Sequence, residues 1–252
     1  MKNGPRHLAR GFWLVLALLA LVVVVLRADA QTGDGSDQCN AFFPLRQGAR
    51  WVYDEGEVGS QVKMRRTITV QSVSTTDGVT NGEILQQVSL PGQPDVIAGK
   101  AITRARCDDS GVQLNIDGSA GIGGETSGVI KAKLPGLPPA SDLKPGFSWR
   151  GDSEVETMDA GSKVVAQGAR GSRVERAESV TVPAGTFPDA LRVESVQTLT
   201  LHRGKDEHYA RQEIVEWLVR GIGMVKRETR VSRDAKAAVS VEELQSYSGL
   251  SK

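Results

Sequence analysis

VTVPAGTFPDALRVESVQTLTL, residues Val180 to Leu201, contains two strand-like runs with a corner between them. Val180 and Val182 share one face of the first run. Pro183 ends that run because it cannot donate to a ladder, and Gly185 supplies the permissive backbone of the turn. Phe187 restarts the apolar side. Beyond it Leu191, Val193, Leu199 and Leu201 alternate with Arg192, Glu194, Thr198 and Thr200. Such period-two patterning marks a sheet with one covered and one wet face. Thr181 and Thr186 are the only hydroxyls at the corner, and no histidine lies near them in sequence. The stretch therefore reads as a structural corner rather than an active-site loop.

The same alternation recurs upstream. Val62, Met64, Ile68 and Val70 fall on one parity, with Lys63, Arg65, Thr67, Thr69 and Gln71 on the other. Turn signals separate the runs: Thr76-Asp77-Gly78, Asn81-Gly82, Asp109-Ser110-Gly111, Asp159 to Ser162 and Arg203 to Asp206. Gly and Asn tolerate positive φ, and Asp bonds the turn backbone, so these are hairpin connections and successive strands run antiparallel. Almost nothing reads as a helix. The expected fold is all-β, a large twisted antiparallel meander sheet curling toward an open barrel.

A glycine-rich stretch, Gly118 to Gly128, and a proline-rich one, Leu134 to Pro145, interrupt the pattern. They leave a second architecture open: two duplicated β-halves, 39–117 and 141–248, joined by 118–140. Leu45, Gly48 and Trp51 recur at the same spacing as Leu143, Gly146 and Trp149. In each copy the glycine turns the chain into a strand and the tryptophan anchors that strand in the core.

Residues 1–30 read as an address. Lys2, Arg6 and Arg10 precede an apolar stretch from Phe12 to Leu26, and Ala28-Asp29-Ala30 offers the small residues of a cleavage site. The stretch is shorter than the roughly 20 residues of a spanning helix, so cleavage after Ala30 is expected, with no transmembrane segment left. Ser36-Asp37-Gln38 before Cys39 is not the small apolar box that lipid attachment requires. Removing residues 1–30 takes away four basic residues and one acidic one, so the net charge falls from +1 to about −2. A near-neutral exported chain, 31–252, gives no basic stripe for nucleic acid or for an anionic membrane surface. Its destination is secreted or periplasmic. In an oxidising compartment the two cysteines, Cys39 and Cys107, are expected to pair as a disulfide.

Few residues invite chemistry. The glycine-rich run lacks both G-x-G-x-x-G and G-x-x-x-x-G-K-[ST], and prolines follow where a helix would be needed, so it is a surface loop rather than a phosphate cradle. His202 and His208 flank the turn at Arg203 to Asp206, with Glu207 alongside. A three-residue loop would face the two rings across the hairpin and allow zinc or copper. A two-residue Gly-Lys loop would put them out of register. No G-x-S-x-G, H-E-x-x-H or Cys–His pair occurs. Paired carboxylates remain the one hydrolytic possibility. Trp51, Trp149 and Trp217 sit in alternating apolar settings and read as core rather than as sugar platforms. No cofactor is expected, and no catalytic activity.

Val182-Pro183-Ala184-Gly185-Thr186-Phe187 followed by Asp189-Ala190-Leu191-Arg192-Val193 resembles a signature of secreted bacterial β-rich proteins of a domain family of unknown function. Phe43-Pro44-Leu45 through Gly48, with Trp51-Val52-Tyr53, and the W-x-x-x-G-x-G-x-V-K stretch from Trp217 through Gly221 and Gly223 to Lys226 are similar to that family as well. The resemblance implies an exported antiparallel β-protein, similar to the half-barrels of periplasmic lipoprotein carriers, and brings no catalytic residues. The first functional expectation is a concave sheet face that binds or carries an apolar ligand or an envelope protein. The alternative is an extracellular structural or interaction protein without a small-molecule pocket.

Overall fold

Among the described residues, period-two alternation becomes twelve antiparallel strands in one sheet. The structure is a computed structural model and describes residues 40–61, 63–90, 92–120, 128–159, 162–232 and 238–250. The signal proposed for 1–30, and Cys39, lie outside the described residues. In chain order the strands are β1 (Arg50–Glu57), β2 (Met64–Thr76), β3 (Val79–Leu90), β4 (Gln93–Asp108), β5 (Gly111–Ala120) and β6 (Gly128–Leu137). They continue as β7 (Ser148–Asp159), β8 (Ser162–Val182), β9 (Gly185–Arg203), β10 (Asp206–Val219), β11 (Gly223–Ser232) and β12 (Ala238–Ser248).

Each strand pairs with its sequence neighbours, as the hairpin signals predict. The sheet then goes a step beyond the open barrel expected from sequence: β12 returns to pair with β1 and closes it. Trp51 lies opposite Tyr247, and Tyr53 opposite Leu244, with a register shift between Val52 and Tyr53. Closure gives every strand a partner on both sides over at least part of its length, which leaves no free edge strand among the described residues and limits edge-to-edge aggregation.

One turn reading is corrected. Asn81-Gly82 lies inside β3, not at a turn. A Cβ at Gly82 would meet Leu45 Cδ2 at 2.6 Å, so a larger residue there would have to displace the Leu45 side chain. The supposed joint at 118–140 is largely β5 and β6 with the connection between them, of which residues 121–127 lie outside the description. Pro135 can sit within β6 because β6 pairs with β7 only over Ile130–Lys133. Below that point Pro135 packs on Gly151 and owes no ladder bond.

One end of the barrel is plugged, and the sequence motifs converge there. β8 runs past the start of β7, which pairs only up to Arg173, so the tip of the β8–β9 hairpin overhangs. Register shifts at Val174/Arg176 and Glu178/Val180 bend it beneath the barrel, where Ala184 N–H donates to Leu244 O at 3.0 Å. Trp51 Nε1 donates to Ile222 O at 3.0 Å, and Tyr53 Oη to Met224 O at 2.9 Å. Phe42, Phe43, Leu45, Leu143, Val180 and Val182 fill this base. The three stretches that carry the family resemblance thus meet at a closed apolar floor.

The repeated Leu-x-x-Gly-x-x-Trp corners are built alike. Gly48 and Gly146 have φ of 81° and 91°. Gly48 N–H donates to Val70 O at 2.9 Å and Gly146 N–H to Val174 O at 2.8 Å. Leu45 and Leu143 are equally buried. Trp51 is enclosed, while Trp149 is half-buried and stacks on Phe147.

Gly185 has φ of 142° with open space around its Cβ position, so Gly185→Val is opposed by backbone strain rather than by collision. Phe187 is half-buried against the core. Phe187→Ala should therefore cost less than the about 3 kcal/mol that begins the range for a fully buried ring. Thr186 shares a 3.0 Å hydroxyl contact with Thr181 at the surface, so Thr186→Ala should leave the melting temperature nearly unchanged. Thermal melts of the three variants check this ranking. A Thr186→Ala protein that melts early would show that the corner does more than turn the chain.

Candidate functional site

Charged side chains on apolar parity are the feature that pattern reading passes over. Arg66, Arg170, Glu216, Arg227 and Glu242 all point into the barrel and are only 2–4 % exposed. Glu216, Arg227 and Glu242 are register neighbours on β10, β11 and β12. Arg227 Nη2 and Nε donate to Glu216 Oε1 at 2.6 and 2.9 Å, and Nη1 donates to Glu242 Oε2 at 3.3 Å. Arg66 from β2 pairs with Glu242, and Arg170 from β8 pairs with Glu216.

Uncharged groups extend this belt around the wall. Arg66 Nη1 reaches Gln86 Oε1 at 3.4 Å, and Gln86 Nε2 donates to Thr103 Oγ1 at 2.7 Å. On the other side Arg170 Nη2 donates to Ser195 Oγ at 2.9 Å, and Ser195 donates to Ser172. The belt links β4, β3, β2, β12, β11, β10, β9 and β8. Its bridges Arg66–Glu242 and Arg170–Glu216 each step over a strand, and the first spans the β1–β12 closure. Apolar side chains fill the interior on either side: Val164, Ala166, Leu199 and Leu201 toward one end, Val193 and Leu218 toward the base. Among the described residues the concave face is a packed core, not the apolar trough that carriage would need.

An open depression lies instead on the outer face of β7–β12. It has a volume of about 770 Å³, with Val196, Val215 and Val239 on its floor. Val196 is 41 % exposed, and nothing lies within 4 Å of where a Gly171 Cβ would project. The rim is made of ion pairs satisfied among themselves: Arg173–Glu175 at 3.0 Å, Lys226–Glu228 at 2.8 Å and Arg192–Glu194. A rim already neutralised in this way favours an uncharged, partly apolar occupant.

Trp217 also faces outward, yet it is only 9 % exposed. Its ring lies between Arg192 and Lys226, its neighbours in one register row, with cation-to-centroid distances of 6.0 and 5.1 Å. Its Nε1 donates to Glu178 Oε1 at 2.8 Å. Burial pushes the Glu178 carboxyl up, but the Trp217 donor and the guanidinium groups of Arg176 and Arg192 outweigh it, so its pKa lies below the ordinary value. A lowered folded-state pKa stabilises above the unfolded value, near about 4.3, and that contribution fades as pH falls through the folded value. Trp217→Phe removes the donor while keeping an aromatic face. Urea melts across pH should show the gap between wild type and Trp217→Phe narrowing in acid. A gap that widens on acidification would contradict the assignment.

The β9–β10 turn has two residues, Gly204 and Lys205, and Arg203 lies opposite Asp206. His202 then pairs with Glu207, Nδ1 to Oε2 at 3.5 Å, while His208 pairs with Leu201 on the other parity. Glu207 also accepts from Tyr209, whose pKa is raised first by that hydrogen bond and then by the carboxylate charge. The two rings do not converge. Among the described residues no cluster of His, Cys, Asp and Glu is placed to hold a metal ion.

The fold and site define a class, the closed antiparallel barrel with a plugged base and a polar belt inside. Within the chain, residues 138–244, from the loop before β7 into β12, match the family described as DUF3108-like. No curated protein matches the sequence significantly. Solved structures with the same fold include a candidate lipoprotein from Parabacteroides distasonis, 19% identical with a TM-score of 0.60, covering 83% of this chain and 99% of that one. A candidate exported protein with a YmcC-like fold from Bacteroides fragilis is 16% identical with a TM-score of 0.60, covering 83% of this chain and 100% of that one.

Proposed function

We propose that the protein is an exported, non-catalytic interaction module whose rigid barrel presents the outer trough over β7–β12 to an envelope protein. The observation that carries this reading is where open space lies. The described interior is occupied by its own side chains, while an open trough of about 770 Å³ lies on the outer wall. Location outside the cytoplasm is supported by the basic, apolar and small-residue pattern of residues 1–30, with the mature chain beginning at Gln31. The descriptions of the two structural relatives as lipoprotein and exported candidates are consistent with it.

Carriage of an apolar ligand is the second reading, and the two separate experimentally. A photo-crosslinking side chain at Val196, in the trough, should capture a protein partner in the envelope. The same probe at Gln113, on the opposite outer wall, should not. Equal adducts at both positions, or stoichiometric lipid extracted from natively purified protein, would sink the interaction reading, and the second result would favour carriage.

A further inference from the structure

On the outer face, β7 to β10 carry three cross-strand rows under the trough. The central row reads Arg150–Gly171–Val196–Glu213. On one side of it lies Asp152–Ala169–Thr198–Arg211, and on the other Ser148–Arg173–Glu194–Val215. Charge in these rows is arranged about the line between β8 and β9. Arg150 and Glu213 lie equally far from that line and carry opposite charge. The same holds for Asp152 and Arg211, and for Arg173 and Glu194. At the centre Val196 is 41 % exposed and stands beside Gly171, where open space surrounds the position of a Cβ. A knob therefore sits next to a hole.

We infer that the trough pairs face to face with the trough of a second copy of this chain, which rests on the trough being the interaction surface and names its partner. The two-fold axis runs along the line between β8 and β9. In such an isologous contact residue i meets j and j meets i. Val196 of each copy enters the space over Gly171 of the other. Arg173 meets Glu194, Arg150 meets Glu213 and Asp152 meets Arg211, each pair made twice. An axis along the strands also keeps the two sheets within the roughly 30° at which sheets stack. The neighbouring line, between β9 and β10, gives no such match: there Val196 would meet Glu213, and Gly171 would meet Arg230.

The patch carries three acidic and three basic side chains in these rows, so its copy is an occupant without net charge. Arg173, Glu194, Arg211 and Glu213 are 57 %, 46 %, 52 % and 41 % exposed and already paired within their own chain. Pairing strands none of them, and each ionic contact adds little affinity while fixing orientation. Beyond Arg173 the register shift at Val174/Arg176 bends the hairpin beneath the barrel and ends the patch. Four strands about 4.8 Å apart and three rows about 6.6 Å apart give a footprint of roughly 20 Å by 20 Å per copy. That is small for a permanent dimer, so the association is reversible and follows concentration.

Sedimentation velocity of the purified exported protein, from about 1 µM to about 200 µM, tests the pairing. The expected result is a mass that rises from monomer to dimer across the series. Glu194→Arg sets like charges against each other twice and should weaken association by at least about tenfold. Combining it with Arg173→Glu restores opposite charges across the axis and should restore the dimer. Both side chains are exposed, so all three proteins should melt close together. A wild type that stays monomeric throughout would overturn the proposal, as would a Glu194→Arg protein that pairs as tightly as wild type or a double variant that stays monomeric. A monomeric wild type whose Val196 probe captures a different envelope protein would leave the interaction reading standing, whereas equal adducts at Val196 and Gln113 would remove both.

Discussion

Arg227→Met destabilises the fold by about 3–5 kcal/mol, the cost of removing one partner from a buried ion network. Arg227 is the middle cation of the belt, and it touches both Glu216 and Glu242. Without it Glu216 keeps Arg170 and Glu242 keeps Arg66, but each carboxylate loses its in-register donor in a setting only a few per cent exposed. The loss comes from stranded charge rather than lost packing, because Met fills much of the same volume. Replacing the set together (Arg66→Met, Arg170→Met, Glu216→Leu, Arg227→Met, Glu242→Leu) should therefore recover most of it. Equilibrium urea denaturation followed by tryptophan fluorescence measures both proteins. If Arg227→Met costs under about 1 kcal/mol, the belt behaves as a solvated surface pair and its buried description fails.

The belt also marks where sequence reading stops. The apolar parity of β2 runs Met64, Arg66, Ile68, Val70, and that of β9 runs Leu191, Val193, Ser195, Gln197, Leu199. Alternation told which face was covered but gave no reason to seat Arg66 or Gln197 on that face. The available signal was a charged or amide residue on apolar parity, repeated in β8, β10, β11 and β12. Partner choice is another matter, since Arg66 meets Glu242 only because β12 returns to β1. Turn chemistry was legible at Asp77-Gly78 and Gly204-Lys205, where positive φ or a two-residue loop sets the residue type. It misled at Asn81-Gly82, where the glycine answers to Leu45 from a distant segment. The outer trough was invisible for the same reason, because Val196, Val215 and Val239 are brought together only by register.

We propose that Cys39 and Cys107 pair in the exported protein, a bridge whose loss would cost about 4 kcal/mol on the chain-entropy account, given the long loop between the two residues. Cys107 is 2 % exposed on β4, opposite Thr80 and Val112. Val112 in turn lies opposite Leu137 on β6. Asn40, the residue after Cys39, is 3 % exposed, and its side-chain amide donates to Pro138 O, one residue beyond Leu137. Two strand spacings, about 10 Å, separate β6 from β4, so Asn40 is anchored two strands from Cys107. A bridge there would fix the segment through Leu45, which packs on Gly82 and closes the base. Peptide mapping of the exported protein without reductant should recover the two cysteines linked. The Cys39→Ala, Cys107→Ala protein should melt well below wild type, and reductant should lower the wild-type melt toward that of the variant. Alkylation of both thiols in the folded, unreduced protein would dismiss the bridge and leave the base held by its apolar contacts and backbone bonds alone.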